Sequence, residues 1–223
     1  MKYDVKSDIK RDYFRAKLLQ YTRKAFKTLP ELENPMILDV GCGSGVVTLE
    51  LARLSSGHVV GVDIDQTALA ELNEKIVQAG LVDRVRTMHG SMKDMQFRDE
   101  SIDLIWSEGA IFVIGFKEAL RDWRRFLRPG RFLVLHARTE NIEQRVELIP
   151  TLGYELVDKF VVPKQAWWDE YYGPLEKLIE GLRHKYRNDP RAQAFLDKEQ
   201  SEVNEFKSKA EFHGSVFYIM QKK

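Results

Sequence analysis

The chain has 223 residues, with 35 lysines and arginines against 34 aspartates and glutamates, giving a formal net charge of +1. Hydrophobic residues make up 43% and charged residues 31%, which supplies a core for one globular domain and excludes a low-complexity or disordered chain. The near-zero charge gives no global pull toward nucleic acid or an anionic membrane, and the single cysteine, Cys42, excludes an internal disulfide and any multi-cysteine metal site.

The first residues, Met1 to Asp8, are too charged for a secretory signal, and no apolar run approaches the ~20 residues that span a bilayer. Both features point to a cytoplasmic protein. Residues 8–29 predict one amphipathic helix. Phe14, Leu18, Tyr21, Ala25, Phe26 and Leu29 fall near a 3.6-residue period, and the lysines and arginines fall largely elsewhere, as a solvated face does. Pro30 and Pro35 end that segment.

From Met36 short apolar runs alternate with helical stretches. Met36–Val40 reads as a buried strand, followed by a glycine turn and a helix to Leu54. Val59–Asp63 is a second strand, and Asp65 caps a helix that Gly80 stops. Val85–Met88, Ile102–Trp106 and Arg131–His136 are further strands, with a helix over 116–127 and a turn at Arg128-Pro129-Gly130 before the last. This alternation predicts right-handed crossovers and a parallel sheet covered on both faces.

Glu155–Val162 and Ser215–Gln221 read as two more strands. Between them two helices are expected, opened by Gly173-Pro174 and Asp189-Pro190, with proline at the first helical position. The organisation expected is one domain over 1–223: an N-terminal helical segment (1–35), a core (36–162), a helical insertion (163–213) and a final strand (214–223).

The sharpest local signal is Ile37-Leu38-Asp39-Val40-Gly41-Cys42-Gly43-Ser44-Gly45. An apolar strand runs into three alternate glycines and then a helix. Glycine permits positive φ and close backbone approach, and the helix N-terminus offers free N–H groups to a carboxylate or other anion. Asp63 closes the next strand, where its carboxylate can accept from both hydroxyls of a ribose; the plainer role for it is a helix cap, which Asp65 already fills. A nicotinamide fingerprint would place glycine where this chain has Val46, and a phosphate-binding loop would need the missing Gly-Lys-Ser/Thr.

Together these residues resemble the class I S-adenosylmethionine-dependent methyltransferase superfamily. The stretch 37–45 looks like its first motif and Val60-Gly61-Val62-Asp63-Ile64 its second. His89-Gly90-Ser91-Met92 lies where the third strand ends. Ile102 to Ala110 looks like the fourth motif, and Leu127-Arg128-Pro129-Gly130-Arg131 like the turn before the fifth strand. The run Trp106 to Phe116 looks like the small-molecule subgroup with a methyltransferase type 11 domain.

The resemblance implies an α/β, Rossmann-like, doubly wound seven-stranded sheet in order 3-2-1-4-5-7-6. Its last strand is antiparallel, helices cover both faces, and the helical insertion falls between strands 6 and 7. It implies S-adenosyl-L-methionine as cofactor and S-adenosyl-L-homocysteine as product. Cofactor contacts would come from Asp39, Gly41, Cys42, Gly43 and Gly45 at the amino-acid end, Asp63 at the ribose, Ile64, Ser91 and Met92 around the adenine, and Ser107. Many relatives carry aspartate where this chain has Ser91, so the adenine contact there falls to backbone or to Asp94.

Methyl transfer from a sulfonium needs a nucleophile held about 3 Å from the methyl carbon, opposite the sulfur, and an oxygen or amine nucleophile can also need a base. Glu108 and His136, at the ends of the fourth and fifth strands, are the candidate catalytic groups; the plainer readings are a cap and a satisfied buried histidine. Trp167, Trp168, Tyr171 and Tyr172 are expected to form a lid or cation-binding box, or else to anchor the insertion.

The partner expected is a small-molecule acceptor, with no nucleic acid, no membrane and no metal. Its identity, the atom methylated and the oligomeric state are not legible. Three other readings are a nucleic-acid methyltransferase using the arginines 121, 124, 125, 128 and 131, a silent scaffold, and an NAD-dependent oxidoreductase.

Overall fold

A computed structural model describes residues 5–208 and 214–223. The first four residues and the close of the expected insertion at 209–213 lie outside the described residues.

The single helix expected over 8–29 is three: α1 (Val5–Ile9), α2 (Arg11–Lys17) and α3 (Leu19–Lys27). Lys10 takes the left-handed conformation, with φ 45° and ψ 48°. That interrupts the hydrogen-bond ladder although the apolar period runs on, so period alone could not show the break.

Strands β1 (Met36–Val40), β2 (His58–Asp63), β3 (Val85–His89), β4 (Ile102–Glu108), β5 (Leu127–Arg138), β6 (Tyr154–Pro163) and β7 (Gly214–Lys222) form one sheet in the order β3-β2-β1-β4-β5-β7-β6. The pairs from β3 through β5 are parallel, and β7 runs antiparallel to β5. This is the doubly wound architecture with its expected strand order. Crossovers run through α4 (Val46–Leu54), α5 (Gln66–Gln78) and α6 (Phe116–Trp123). Asp65 caps α5 by accepting from the amides of Thr67 and Ala68.

Two local readings are corrected. Arg128-Pro129-Gly130 lies inside β5, where the register breaks: Ile102 pairs with Leu127 but Leu104 with Phe132, and Gly130 takes φ +73°. A further helix, α7 (Ile142–Thr151), precedes β6.

The chain divides into two compact units. One runs over 21–161 with 215–223 and contains most of the sheet. Its core includes Leu38, Ile105, Trp123, Leu133, Leu135, Ile149 and Tyr218.

The other unit joins the N-terminal residues through Gln20 to the 162–214 segment, in which α8 (Lys164–Trp167), a wide π-type turn (Trp168–Tyr172), α9 (Gly173–Lys185) and α10 (Pro190–Ser208) follow one another. Proline near the start of α9 and at the start of α10 matches the expected openings, and the Asp189 carboxylate caps α10 through the amides of Arg191 and Ala192. Ile9, Phe14, Leu175, Ile179, Leu196 and Val203 make its own core.

Candidate functional site

At the C-terminal end of β1, the amides of Gly41 and Cys42 both donate to the Val62 carbonyl, at 2.8 and 3.1 Å, which ties the turn to β2. Gly41, Gly43 and Gly45 take φ of +75°, +53° and +87°, a region costly to any side chain, so the three glycines are conformational requirements. A methyl on Gly41 would stand 2.3 Å from the Ala110 Cβ, and one on Gly45 would stand 2.1 Å from a Leu72 methyl. Helix α4 then opens at Val46 with no side-chain cap and no acidic residue in its first turn. Its end is therefore left electropositive toward the turn.

Asp63, at the end of β2, closes over this turn. Its Oδ2 accepts from the Gly43 amide at 2.7 Å and its Oδ1 from the Asp65 amide at 2.9 Å. Each oxygen keeps a further lone pair for a hydroxyl donor. Next to it Ile64 is 70% exposed, an aliphatic surface standing bare beside a carboxylate. The β3 end is fastened alongside: the Gly90 amide donates to the Asp63 carbonyl, and the His89 ring meets the Ile64 carbonyl at 3.1 Å. Met92 reaches the turn, its methyl lying 3.4 Å from where a Gly41 Cβ would stand, while its carbonyl accepts from the Trp123 indole. The Ser91 hydroxyl accepts locally from the Lys93 amide.

Three of the expected contact residues lie behind the turn. Asp39 is buried and accepts from the Thr48 hydroxyl at 2.6 Å; burial raises its carboxyl to about 7. Ser107 is buried and donates to the Val40 carbonyl. Cys42 is buried against Gly61, and burial pushes its thiol well above the ordinary range. These groups brace the strand end and the helix from below.

Glu108 ends β4 and is half-buried. Its Oε1 accepts from the Trp106 indole at 2.6 Å and its Oε2 from the Thr22 hydroxyl at 3.2 Å. Burial is the largest influence on its carboxyl and raises it to about 7, against the lowering effect of both donors. Sequence reasoning missed Thr22 and the indole. The available signal was a threonine set among Ala25, Phe26 and Leu29 on the apolar stripe.

His136 pairs with Glu108 in register across β4 and β5. Its ring stacks on Phe217 at 4.2 Å, its Nε2 lies 2.6 Å from the Ser215 hydroxyl, and burial lowers it to about 3. It is a buried, hydrogen-bonded, neutral ring.

The four aromatics of the helical unit pack on one another and on α10. Tyr172 stacks on Phe206 at 4.0 Å, and Trp168 lies parallel to the same ring at 6.3 Å. Trp167 meets Tyr171 and Tyr172. Tyr171 is buried, and its hydroxyl accepts from Arg11.

The arginines that could have formed a phosphate footprint are engaged. Arg121 pairs with Asp122, Arg125 with Asp99, and both Arg128 and Arg131 with Asp103, while Arg124 donates to backbone carbonyls. No helix among the described residues is long and apolar enough to cross a membrane.

Residues 37–130 match the family described as a methyltransferase domain. A ubiquinone/menaquinone biosynthesis C-methyltransferase of Vibrio cholerae is 27% identical over 162 residues, which is 71% of this chain and 61% of that protein. Several other curated relatives are matched over less than half their own length. Among solved structures, an S-adenosylmethionine-dependent methyltransferase of Geobacter sulfurreducens in complex with S-adenosyl-L-homocysteine superposes with a TM-score of 0.72 at 19% identity, covering 92% of this chain and 90% of that one. The [4+2]-cyclase SpnF superposes with a TM-score of 0.76, also at 19% identity, covering 91% and 80%. The same fold thus serves differently named activities.

Proposed function

We propose that this chain, whose residues 37–130 match a methyltransferase domain, is an enzyme that binds S-adenosyl-L-methionine at the glycine turn and methylates a small-molecule acceptor. The observation that carries this reading is the tie between Asp63 and Gly43, which sets a strand-end carboxylate, an uncapped helix start and the bare Ile64 side chain around one niche.

The donor set suits the cofactor group by group. The Asp63 oxygens have lone pairs for a ribose diol, the opening amides of α4 suit a carboxylate, and Ile64 with Met92 offers apolar surface to a purine. Asp39, Ser107 and Cys42 act as braces beneath the turn. When bound, the cofactor supplies an electrophilic methyl whose carbon–sulfur bond breaks, with its electron pair kept by sulfur, as the acceptor's lone pair bonds to the carbon. The protein's part is to hold the acceptor in line and to keep water out. In this reading Trp167, Trp168 and Tyr172 shape the helical unit, with Tyr171 anchoring it.

The engaged arginines and the near-neutral charge weigh for a small acceptor over a nucleic acid. Calorimetric titration with S-adenosyl-L-methionine, followed by detection of S-adenosyl-L-homocysteine release across an acceptor panel, tests the proposal. No binding by the folded protein would end it.

A further inference from the structure

The turn that follows β4 begins at a half-buried carboxylate, borders open space at Gly109 and carries two exposed apolar side chains. Glu108 is held on both oxygens, by the Trp106 indole and the Thr22 hydroxyl, so its carboxylate has a fixed orientation. Both donors are neutral, and no ion pair engages Glu108 among the described residues. The nearby cation on α3, Arg23, is taken by Glu50 at 2.6 Å. A Cβ built on Gly109 would meet nothing within 4 Å, so the backbone just after Glu108 borders open space. Phe112 and Val113, in the same turn, are 73% and 48% exposed. A Cβ built on Gly41 would stand 2.3 Å from that of Ala110, so this turn and the glycine turn touch.

Resting on the methyltransferase reading above, we infer that the acceptor is a small amine with an apolar body, whose ammonium group is received by the Glu108 carboxylate and whose body lies on Phe112 and Val113. A half-buried carboxylate without a cation is costly unless something neutralises it, and an ammonium does so with a charge-assisted hydrogen bond. The chemistry needs the same pairing. An ammonium has no lone pair, so one N–H proton must pass to a Glu108 oxygen, leaving a neutral amine and a carboxylic acid before any N–C bond can form. An alcohol or carboxylate acceptor gives Glu108 no charge to neutralise, and a carboxylate would be repelled. Thr22 and Trp106 are then positioning residues: they touch Glu108 and not the acceptor.

Calorimetry at pH 8 in the presence of saturating S-adenosyl-L-homocysteine tests this with three probes of one shape: 2-phenylethylamine, 2-phenylethanol and 3-phenylpropionate. The amine should bind at least about 10-fold more tightly than either other probe. Glu108→Gln keeps the shape and a hydrogen-bonding group on each side, and should erase that preference while S-adenosyl-L-homocysteine binds within about twofold of wild type. Thr22→Val should weaken amine binding about threefold or more, with cofactor affinity again unchanged.

If the three probes bind alike, if none binds, or if Glu108→Gln leaves the amine's affinity intact, the amine assignment falls while cofactor binding stands. If S-adenosyl-L-homocysteine itself fails to bind, the underlying methyltransferase reading falls, and the amine assignment with it.

Discussion

The carboxylate of Asp63 holds the amide of Gly43 at 2.7 Å, although the two residues are 20 positions apart. One end of β2 therefore fixes the conformation of the turn after β1. Asp63 is the clasp that shapes the turn, and under the proposed function it is a binding group as well. Asp63→Ala should weaken S-adenosyl-L-methionine binding by on the order of 100-fold, the equivalent of one or two hydrogen bonds to a charged group. Asp63→Asn keeps an acceptor oxygen for one of the two amides and should lose less. Affinity of the alanine variant within threefold of wild type would show that the clasp does not hold the ligand.

Gly41 and Ala110 bring two turns into contact. Gly41→Ala adds a methyl at 2.3 Å from the Ala110 Cβ and forces a side chain into φ +75°. The left-handed conformation costs about 1–2 kcal/mol and the overlap a further ~1–3 kcal/mol. Ala110→Gly removes the overlap and leaves the backbone cost. Urea denaturation of the two single variants and the double should therefore give a non-additive cycle, with the double variant more stable than Gly41→Ala. Additive losses would mean that the turns relax independently.

The strand–helix alternation and the glycine turn could be read from the sequence because each rests on local chemistry, while the order of the strands came from the family resemblance. Alternate glycines, a strand-end aspartate and apolar runs of strand length dictate backbone shape with little help from distant residues. What stayed hidden depends on packing across elements. The apolar stripe of residues 8–29 continues through the break at Lys10, so the stripe reported burial and not continuity. Asp39, Cys42 and Ser107 stand in motif positions, but their packing partners, Thr48, Gly61 and the Val40 carbonyl, come from other elements or from the backbone and have no local signal. The Thr22–Glu108 contact joins residues 86 apart and had only one polar residue on an apolar stripe to announce it.

Glu108 makes stability depend on pH in a definite direction. Its carboxyl is raised from 4.5 to about 7 in the fold, so the folded protein favours the protonated form. That contribution is fully present below about pH 4.5 and is lost as pH rises through about 7. The donors Trp106 and Thr22 lower the same carboxyl and the Asp39 charge raises it further, both smaller influences than burial. Glu108→Gln, which cannot ionise, should be more stable than wild type at pH 8 by on the order of 2 kcal/mol, with the difference closing as pH falls below 5. A difference constant from pH 4 to pH 8 would contradict the burial of this charge.

His136 gives the opposite slope. Burial lowers its ring from 6.5 to about 3, so the unfolded chain takes up a proton there that the folded protein refuses. Its contribution is complete above pH 6.5 and falls by about 1.4 kcal/mol per pH unit as pH drops toward 3. His136→Phe removes the titrating group but keeps an aromatic ring against Phe217. Wild type should lose more stability than this variant between pH 6.5 and pH 4.5, and turnover at pH 7.5 should stay within about threefold. A hundredfold fall in turnover at unchanged stability would restore a catalytic role to the ring.

Within the helical unit, Arg11 joins α2 to α10. Its guanidinium reaches Glu199, Glu202 and the Tyr171 hydroxyl, and these partners hold it firmly charged despite partial burial. The Glu199 side chain is only 7% exposed, so Arg11→Ala would strand a buried carboxylate without its counter-charge. Removing one partner of a buried pair costs about 3–5 kcal/mol, and the 30% exposure of Arg11 reduces that to about 2–3 kcal/mol here. Glu199→Gln in the Arg11→Ala background should recover part of the loss, because the stranded charge is gone. Hydrogen exchange should show the opening in residues 164–208 with the sheet amides unaffected. Equal losses with and without Glu199→Gln would mean that the arginine acts through packing of its methylenes and not through its charge.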